Sequence, residues 1–216
     1  MSAKKISRRD FLKIGCLSTA ALGLTICGMT ALAPDPPPID LSSFTFGEKR
    51  MDNRILIAYA TFAGSTKEVA VEIGKTLGAR GFSVDVIPVL ENPKVSDYQF
   101  VLIGSAVYQS SWRSEAIEFI KTNQIALNRV SVAFFSVCLS GLADDEAKRS
   151  IIYGTVRPMV NPVAEVLFAG KVDRRGASLF LPGWLARFFP TMDFRDWNKI
   201  RSWAQTVFVS EEANGG

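Results

Sequence analysis

A short run of small and hydroxylated residues at positions 61–66 has the composition of a phosphate-binding turn. Thr61, Ser65 and Thr66 can donate hydroxyl hydrogen bonds, and Gly64 allows a ligand to approach the backbone closely. An apolar run before the turn predicts a strand, and an amphipathic pattern after it predicts a helix. A helix that begins directly after such a turn offers unpaired N–H groups and the positive end of its dipole to an anion. The spacing therefore predicts a phosphate site.

The two common nucleotide fingerprints are absent from the chain. Neither G-x-x-x-x-G-K-[ST] nor G-x-G-x-x-G occurs, so the turn favours a monophosphate held by neutral donors over a triphosphate or a dinucleotide. An alternative interpretation needs no ligand. Ser65 and Glu68 have the spacing of a capping box, which begins a helix in any protein. Under that alternative the turn is a plain strand–turn–helix connection.

The elements that would position this turn alternate between strand and helix. The predicted strands are Arg54–Ala60, Ser83–Val89, Phe100–Ala106, Val130–Val137 and Ala164–Gly170. The predicted helices are Thr66–Arg80, Arg113–Thr122, one that begins near Asp144–Glu146, and Asp196–Phe208. Strands that are apolar throughout are typical of a parallel sheet covered on both faces. We therefore expect a doubly wound, five-stranded parallel sheet in a three-layer α/β/α domain, with ligands at the carboxyl ends of the strands.

The loop at 106–112 leaves a second predicted strand at this same edge. Ala106 and Val107 lead into Tyr108 and Trp112, two aromatic side chains on which a planar ring could stack. Packing at the entry of the following helix is the alternative for both aromatics. This loop is predicted to flank a cofactor ring.

A third loop, at 138–144, follows the strand that ends near Val137. Cys138, Leu139, Ser140 and Gly141 would offer backbone N–H and C=O groups to the edge of a bound ring. Cys138 is expected to be a small buried apolar residue rather than a reactive thiol.

The residue types that are missing exclude several chemistries. The chain contains no histidine, which removes histidine acid–base catalysis, serine or cysteine triads, and histidine-ligated metals. Two of the three cysteines lie in the first 33 residues, so the remainder cannot form an internal disulfide or a cysteine-ligated metal site. No catalytic side chain and no metal ligand is predicted. Redox chemistry carried by a bound cofactor remains open, because the protein then supplies binding and electrostatics.

The N-terminus, Ser7 to Lys13, reads S-R-R-D-F-L-K and resembles the twin-arginine export signal. Residues 14–33 carry no charge and are either a cleaved signal or a membrane anchor. The expected order is a signal or anchor at 1–33, a Pro-rich tether at 34–52 and a domain at 53–210. This predicts export to an extracytoplasmic, membrane-associated location. Residues 1–33 hold five Lys or Arg and one Asp, whereas the rest is balanced, so the net charge of +4 is no indication of nucleic-acid binding.

Residues Ile55 to Thr66 resemble the FMN-phosphate loop of flavodoxins, T-x-T-G-x-T. Phe62 occupies the first variable position, and Ala63 replaces the second threonine, so one hydroxyl contact is lost. The resemblance implies a flavodoxin-like fold, FMN as cofactor, and phosphate contacts from Thr61, Gly64, Ser65 and Thr66. It also implies that the loops at 106–112 and 138–142 flank the isoalloxazine ring.

Further segments are similar to one branch of that family, the menaquinone-dependent protoporphyrinogen dehydrogenases; they are 101–106, 114–121, 132–137 and 194–203. That branch implies a quinone-dependent FMN dehydrogenase with a protoporphyrinogen-like tetrapyrrole as donor and a membrane quinone as acceptor. Two alternatives remain open: a membrane-tethered flavodoxin that carries electrons between redox protein partners, and a flavin-free scaffold domain.

The segment 171–192 is long for a connection and combines aromatic with basic residues. It is predicted to touch a membrane surface or a quinone, together with the N-terminal segment. The alternative is that it folds back over the sheet edge or the core.

Overall fold

The computed structural model describes residues 39–48, 53–138, 144–178, 181–186 and 188–208. The strands are β1 (Phe44–Phe46), β2 (Arg54–Ala60), β3 (Ser83–Pro88), β4 (Phe100–Tyr108), β5 (Ser111–Trp112), β6 (Ser131–Cys138), β7 (Ala164–Ala169), β8 (Lys171–Val172) and β9 (Met192–Asp193). The helices are α1 (Ser65–Ala79), α2 (Ser114–Leu127), α3 (Glu146–Tyr153), α4 (Arg174–Ala177), α5 (Gly183–Ala186) and α6 (Trp197–Thr206). Two 3₁₀ turns, Val89–Glu91 and Val95–Asp97, follow β3.

Five parallel strands form the centre of the sheet, in the order β3-β2-β4-β6-β7. The order reverses between β2 and β4, which places a crevice at the carboxyl ends of these strands. The predicted doubly wound α/β fold is therefore confirmed. Predicted and observed bounds agree within one or two residues for the strands, because each strand is a distinct apolar run.

The side chains of the central strands alternate between two cores. Ile55, Ile57 and Tyr59 of β2 pack on the face that carries α1 and α6. Leu56 and Ala58 pack on the opposite face with α2 and α3. β2 is almost fully buried on both faces, so its carboxyl end is held in place by packing. This also fixes the position of the turn that follows it.

Part of the predicted tether belongs to the sheet. Residues 39–47, here named the edge strap, contain β1, which pairs antiparallel with β3 in the register Phe44↔Val86 and Phe46↔Val84. Phe46 lies against the two helix glycines of α1: a Cβ added at Gly74 would stand 2.9 Å from Phe46 Cδ2. The prediction of a tether over the whole of 34–52 is therefore wrong for this stretch, since an aromatic residue every second position is enough for a short edge strand.

The connection after β4 is a tight hairpin, whereas the sequence predicted a loop over the whole of 106–112. β4 continues through Ala106 and Val107 to Tyr108, and Ser111–Trp112 returns antiparallel to it. Gln109 and Ser110 both have positive φ, 49° and 61°, which is the backbone of the two-residue turn that fits strand twist.

The described residues of the segment 173–190, between β8 and β9, belong to a compact unit distinct from the sheet domain. Asp173 begins α4 by accepting hydrogen bonds of 3.0 Å from the N–H groups of Arg175 and Gly176. Leu185 and Phe188 are 40% and 67% exposed. Among the described residues, no helix has the length and apolarity needed to cross a bilayer.

Candidate functional site

The turn at 61–66 is built around a left-handed glycine. Gly64 has φ 90° and ψ −17° and lies immediately before α1, and a Cβ added there would meet no atom within 4 Å. That backbone is strained for any residue with a side chain, and the space beside it is open. The predicted capping box is not formed. The helix begins at Ser65, one residue earlier than predicted, so Ser65 is inside it rather than at its cap. The carboxylate of Glu68 pairs with Lys171 instead of the helix N-terminus.

Three residues in or beside this turn carry hydroxyls, and each hydroxyl retains a hydrogen that it can donate. Thr61 Oγ1 accepts a hydrogen bond of 3.0 Å from the N–H of Gly64, and Ser65 Oγ accepts one of 3.1 Å from the N–H of Lys171. Thr66 Oγ1 is buried without a partner. A buried hydroxyl with no partner is costly, and a bound acceptor removes that cost. The arrangement fits an anion that accepts from neutral donors.

The first turn of α1 adds backbone donors. The N–H of Glu68 is the first in the helix to find a carbonyl, that of Gly64 at 3.1 Å. The N–H groups of Ser65, Thr66 and Lys67 have no backbone acceptor among the described residues. These groups carry the positive end of the helix dipole. The Lys67 ammonium turns away to the edge strap, donating to Asp40 Oδ2 at 2.7 Å and Ser42 Oγ at 3.1 Å.

An ion cluster ties α1 to the β8–β9 ladder. Glu68 accepts from Lys171 Nζ at 2.6 Å and from Arg195 at 2.5 Å, and Arg195 also pairs with Asp193 at 2.6 Å. Burial acts to raise the pKa of Glu68, but the hydrogen bonds from Lys171 and Arg195 outweigh it and hold that pKa below its ordinary value. The negative charge in the first turn of α1 is thereby compensated, so it does not oppose a nearby anion.

The two aromatic residues of the β4–β5 hairpin have separate roles. The Trp112 side chain is buried, its indole N–H donates to Ser136 Oγ at 2.7 Å, and its ring packs edge-on to Phe134 and Tyr153. Trp112 therefore follows the packing alternative, because a ring enclosed by the core has no face left for a ligand. Tyr108 is 42% exposed at the sheet edge and keeps a face available for stacking.

Sequence reasoning missed Arg113, which joins this hairpin to the phosphate turn. Its guanidinium lies 5.5 Å from the centre of the Phe62 ring and forms an ion pair of 2.8 Å with Glu115. Phe62 and Ala63 are half-buried between these groups and solvent. No local sequence pattern distinguishes Arg113 from an ordinary residue before a helix. Its place at the site is therefore visible only from its contacts in the structure.

The third predicted loop is described only at its start. Cys138 ends β6, is buried, and accepts a hydrogen bond of 3.0 Å from the N–H of Gly170 through its carbonyl. Gly170 precedes Lys171, whose N–H reaches Ser65, so the ends of β2, β6 and β7 meet at one place. Leu139, Ser140 and Gly141 lie outside the described residues.

A model of the flavodoxin domain matches residues 56–181, more than half of the chain. The chain belongs to the flavodoxin domain family. Proteins of this family bind FMN, which confirms the predicted cofactor at the level of the family, and the donors around Gly64 fit its phosphate. Ala106, Val107 and Tyr108 form the carboxyl end of β4, at the edge of the sheet where the ring is predicted to bind.

Among curated proteins, the chain is 33% identical over 88 residues to the Escherichia coli K12 protein named protoporphyrinogen IX dehydrogenase [quinone]. The match covers 40% of this chain and 49% of that one, so this flavodoxin-family chain spans about half the length of the curated relatives it matches. Similar solved structures include oxidised flavodoxin 1 from Bacillus cereus, 14% identical with a TM-score of 0.48 over 71% of this chain and 95% of that one. A second is an oxidoreductase from Corynebacterium diphtheriae, 15% identical with a TM-score of 0.48 over 76% of this chain and 99% of that one.

Proposed function

We propose that this flavodoxin-like protein is an exported, membrane-associated oxidoreductase that binds one FMN and passes electrons from a reduced donor to a membrane quinone. The observation that carries the proposal is the set of donors around Gly64. Thr61, Ser65 and Thr66 each keep a hydroxyl hydrogen to donate, and the first-turn N–H groups of α1 stand beside them. Such a set of neutral donors matches the single phosphate of FMN.

The chain's own groups would bind and orient the cofactor rather than transfer protons. The turn at 61–66 would hold the phosphate, and the rigid end of β2 would fix its position. The exposed ring of Tyr108 would cover one face of a planar ring system. Buried Cys138 and the half-buried backbone of Val107 would exclude water from its edge. When bound, FMN supplies the electron-transfer chemistry, and these contacts set its potential.

A tetrapyrrole donor and a quinone acceptor are supported by one relative. The E. coli protein of similar sequence carries protoporphyrinogen IX and quinone in its name, and the match extends over 88 residues. We therefore propose a protoporphyrinogen-like donor and a membrane quinone for this chain. If the protein only carries electrons between protein partners, its flavin should be reduced by a redox protein and not by a protoporphyrinogen-like donor.

Two segments of the chain support membrane association: the N-terminal run and the 173–190 unit. The N-terminal S-R-R-D-F-L-K run and the uncharged residues after it favour export and attachment. The exposed side chains of Leu185 and Phe188 favour contact with lipid, and the same 173–190 unit contains the basic residues Arg174 and Arg175.

The test is turnover by the full chain, purified from membranes with its flavin. The absorbance spectrum and the released flavin are identified first, and FMN is expected. Anaerobic protein is then mixed with protoporphyrinogen IX and a menaquinone analogue, and oxidation of the donor is followed by porphyrin fluorescence. Donor oxidation that needs both the flavin and the quinone supports the proposal. A flavin-containing protein that is inert to both donor and quinone, yet is reduced by a redox protein, supports the carrier. A colourless protein that binds no added FMN supports the scaffold.

A further inference from the structure

The N-terminal segment joins the domain at the same edge as the candidate FMN site. β1 runs antiparallel to β3, so the chain enters beside the carboxyl end of β3 and leaves toward its amino end. Asp40 and Ser42, which precede β1, therefore lie at the carboxyl edge of the sheet. Residues further toward the N-terminus must start from that edge.

Several contacts fix this entry point. Asp40 accepts from Lys67 Nζ through both its carboxylate and its carbonyl, at 2.7 and 2.8 Å. The Tyr59 hydroxyl donates to the carbonyl of Ser42 at 3.0 Å, and burial raises the pKa of Tyr59 to about 12, so it stays a donor. Phe44 stands beside the Lys67 ammonium, at 5.3 Å from the ring centre. The edge strap is thus part of the folded domain.

Exposed apolar side chains occur along the length of this carboxyl edge. Leu90 follows β3 and is 67% exposed, and Tyr108 ends β4 at 42%. Phe194, whose N–H donates to the carbonyl of Gly170 just past β7, is 44% exposed. Leu41 in the edge strap and Met192 in β9 complete the set at 36% and 37%. We call these five residues the apolar rim.

Three ion pairs lie near the apolar rim, and Glu91, beside Leu90, adds an exposed carboxylate that accepts from the Ser43 hydroxyl. Lys67 pairs with Asp40, Arg113 with Glu115, and Arg195 with Asp193. Each pair is neutral as a unit. An edge with mostly compensated charges and protruding apolar side chains is suited to the interface of a bilayer.

The short linker between the N-terminal segment and the edge strap indicates that a bilayer covers the apolar rim. Residues 34–39 lie between the uncharged run 14–33 and the fixed Asp40, and six residues span at most about 20 Å when extended. If the uncharged run is held in a bilayer, the carboxyl edge stays within that reach. The opposite edge of the sheet would require the tether to cross the length of a strand first.

We propose that the apolar rim rests on the lipid bilayer that holds the N-terminal segment, so that the candidate FMN site faces the membrane. This inference relies on the membrane attachment in the proposed function and adds its orientation. A lipid-soluble quinone could then approach the site without leaving the bilayer.

Depth-dependent quenching tests the orientation on the full chain. Cys16→Ser and Cys27→Ser remove the N-terminal thiols, and buried Cys138 stays in place. Single cysteines are then introduced as Leu90→Cys and Phe194→Cys at the apolar rim, and as Ile125→Cys and Val163→Cys at the other end of the sheet, where the native residues are 77% and 48% exposed. Each variant carries a maleimide fluorophore and is bound to phosphatidylglycerol–phosphatidylethanolamine vesicles that contain a nitroxide-headgroup lipid. Sedimentation with the vesicles is measured in parallel.

Quenching at positions 90 and 194 is expected to exceed that at 125 and 163 several-fold. Equal quenching at all four positions, or stronger quenching at 125 and 163, overturns the orientation while the sedimented protein leaves the membrane attachment standing. Protein that fails to sediment with the vesicles overturns both the orientation and the attachment on which it rests.

Discussion

The ammonium of Lys67 donates to the carboxylate of Asp40 at 2.7 Å, which joins the first turn of α1 to the edge strap. Hydrogen bonds from Lys67 and Ser42 hold the pKa of Asp40 below its ordinary value. The lysine in the first turn of α1 is therefore committed to the strap. This assigns it a structural role, in contrast to the lysine of nucleotide-binding loops that reaches the phosphates.

Replacement of Lys67 separates these two roles. Lys67→Met should leave the affinity for FMN nearly unchanged, because the phosphate donors are hydroxyls and N–H groups. It should also increase cleavage of the edge strap by a nonspecific protease, since its three hydrogen bonds to the strap are lost. Lys75→Met, at an exposed position of the same helix, is the matched control and should change neither property. A loss of affinity of about tenfold or more with Lys67→Met would identify Lys67 as a phosphate ligand.

The hairpin aromatics give the second prediction. Tyr108→Ser should weaken FMN binding without a large change in stability, because this ring is exposed. Trp112→Phe should leave binding unchanged but cost about 1–3 kcal/mol of unfolding free energy, because the buried hydroxyl of Ser136 loses the indole donor. FMN titration and denaturant unfolding are measured on both variants. If Trp112→Phe weakened FMN binding while Tyr108→Ser did not, Trp112 rather than Tyr108 would be the residue that contacts the cofactor.

The third prediction concerns acid. The pKa of Glu68 is lower in the folded protein than its ordinary value of 4.5, so the folded state is stabilised by the charged form. That contribution is fully present above pH 4.5 and is lost as the pH falls below it toward the folded pKa. Glu68→Gln should therefore be less stable than the parent at pH 7 by at most about 1 kcal/mol, because the carboxylate is partly exposed. The two proteins should converge as the pH approaches 3; a difference that persists there would show that Glu68 acts by packing.

The export proposal predicts where a signal variant stays. Arg8→Lys combined with Arg9→Lys should leave the protein in the cytoplasm, folded and carrying flavin, since the twin-arginine route accepts folded cargo. Cell fractionation with flavin fluorescence measures this. Undiminished export of the double variant would mean that another route carries the chain.

The strands could be predicted closely from the sequence because each is an apolar run bounded by polar residues. β2 was predicted at Arg54–Ala60, as observed. The start of α1 was displaced by one residue because the helix is begun by the left-handed backbone of Gly64, whereas side-chain patterns indicated Ser65 as a cap.

The features that sequence reasoning missed depend on contacts between distant segments. β1 is only three residues long and lies in the segment that was predicted to be a Pro-rich tether. It is stabilised by pairing with β3 and by the packing of Phe46 against Gly74. The hairpin after β4 carries positive φ at Gln109 and Ser110, residue types that seldom mark such a turn. Lys171 reaches Ser65 from more than a hundred positions away, so only the fold reveals it.

A pair of glycine variants tests most directly whether the FMN phosphate binds at Gly64. Gly64 and Gly81 have φ of 90° and 98°, and a Cβ at either would meet no atom within 4 Å. Gly81 lies after α1, at the amino edge of the sheet. Each Gly→Ala change should therefore cost a similar backbone strain, about 1–2 kcal/mol of unfolding free energy.

FMN affinity is measured by flavin-fluorescence titration of the apoprotein for the parent, Gly64→Ala and Gly81→Ala. Only Gly64→Ala places a methyl group where the phosphate would lie, so it alone should lower the affinity, by about tenfold or more. Equal affinities for the two variants at an equal loss of stability would contradict the assignment of the phosphate to this turn.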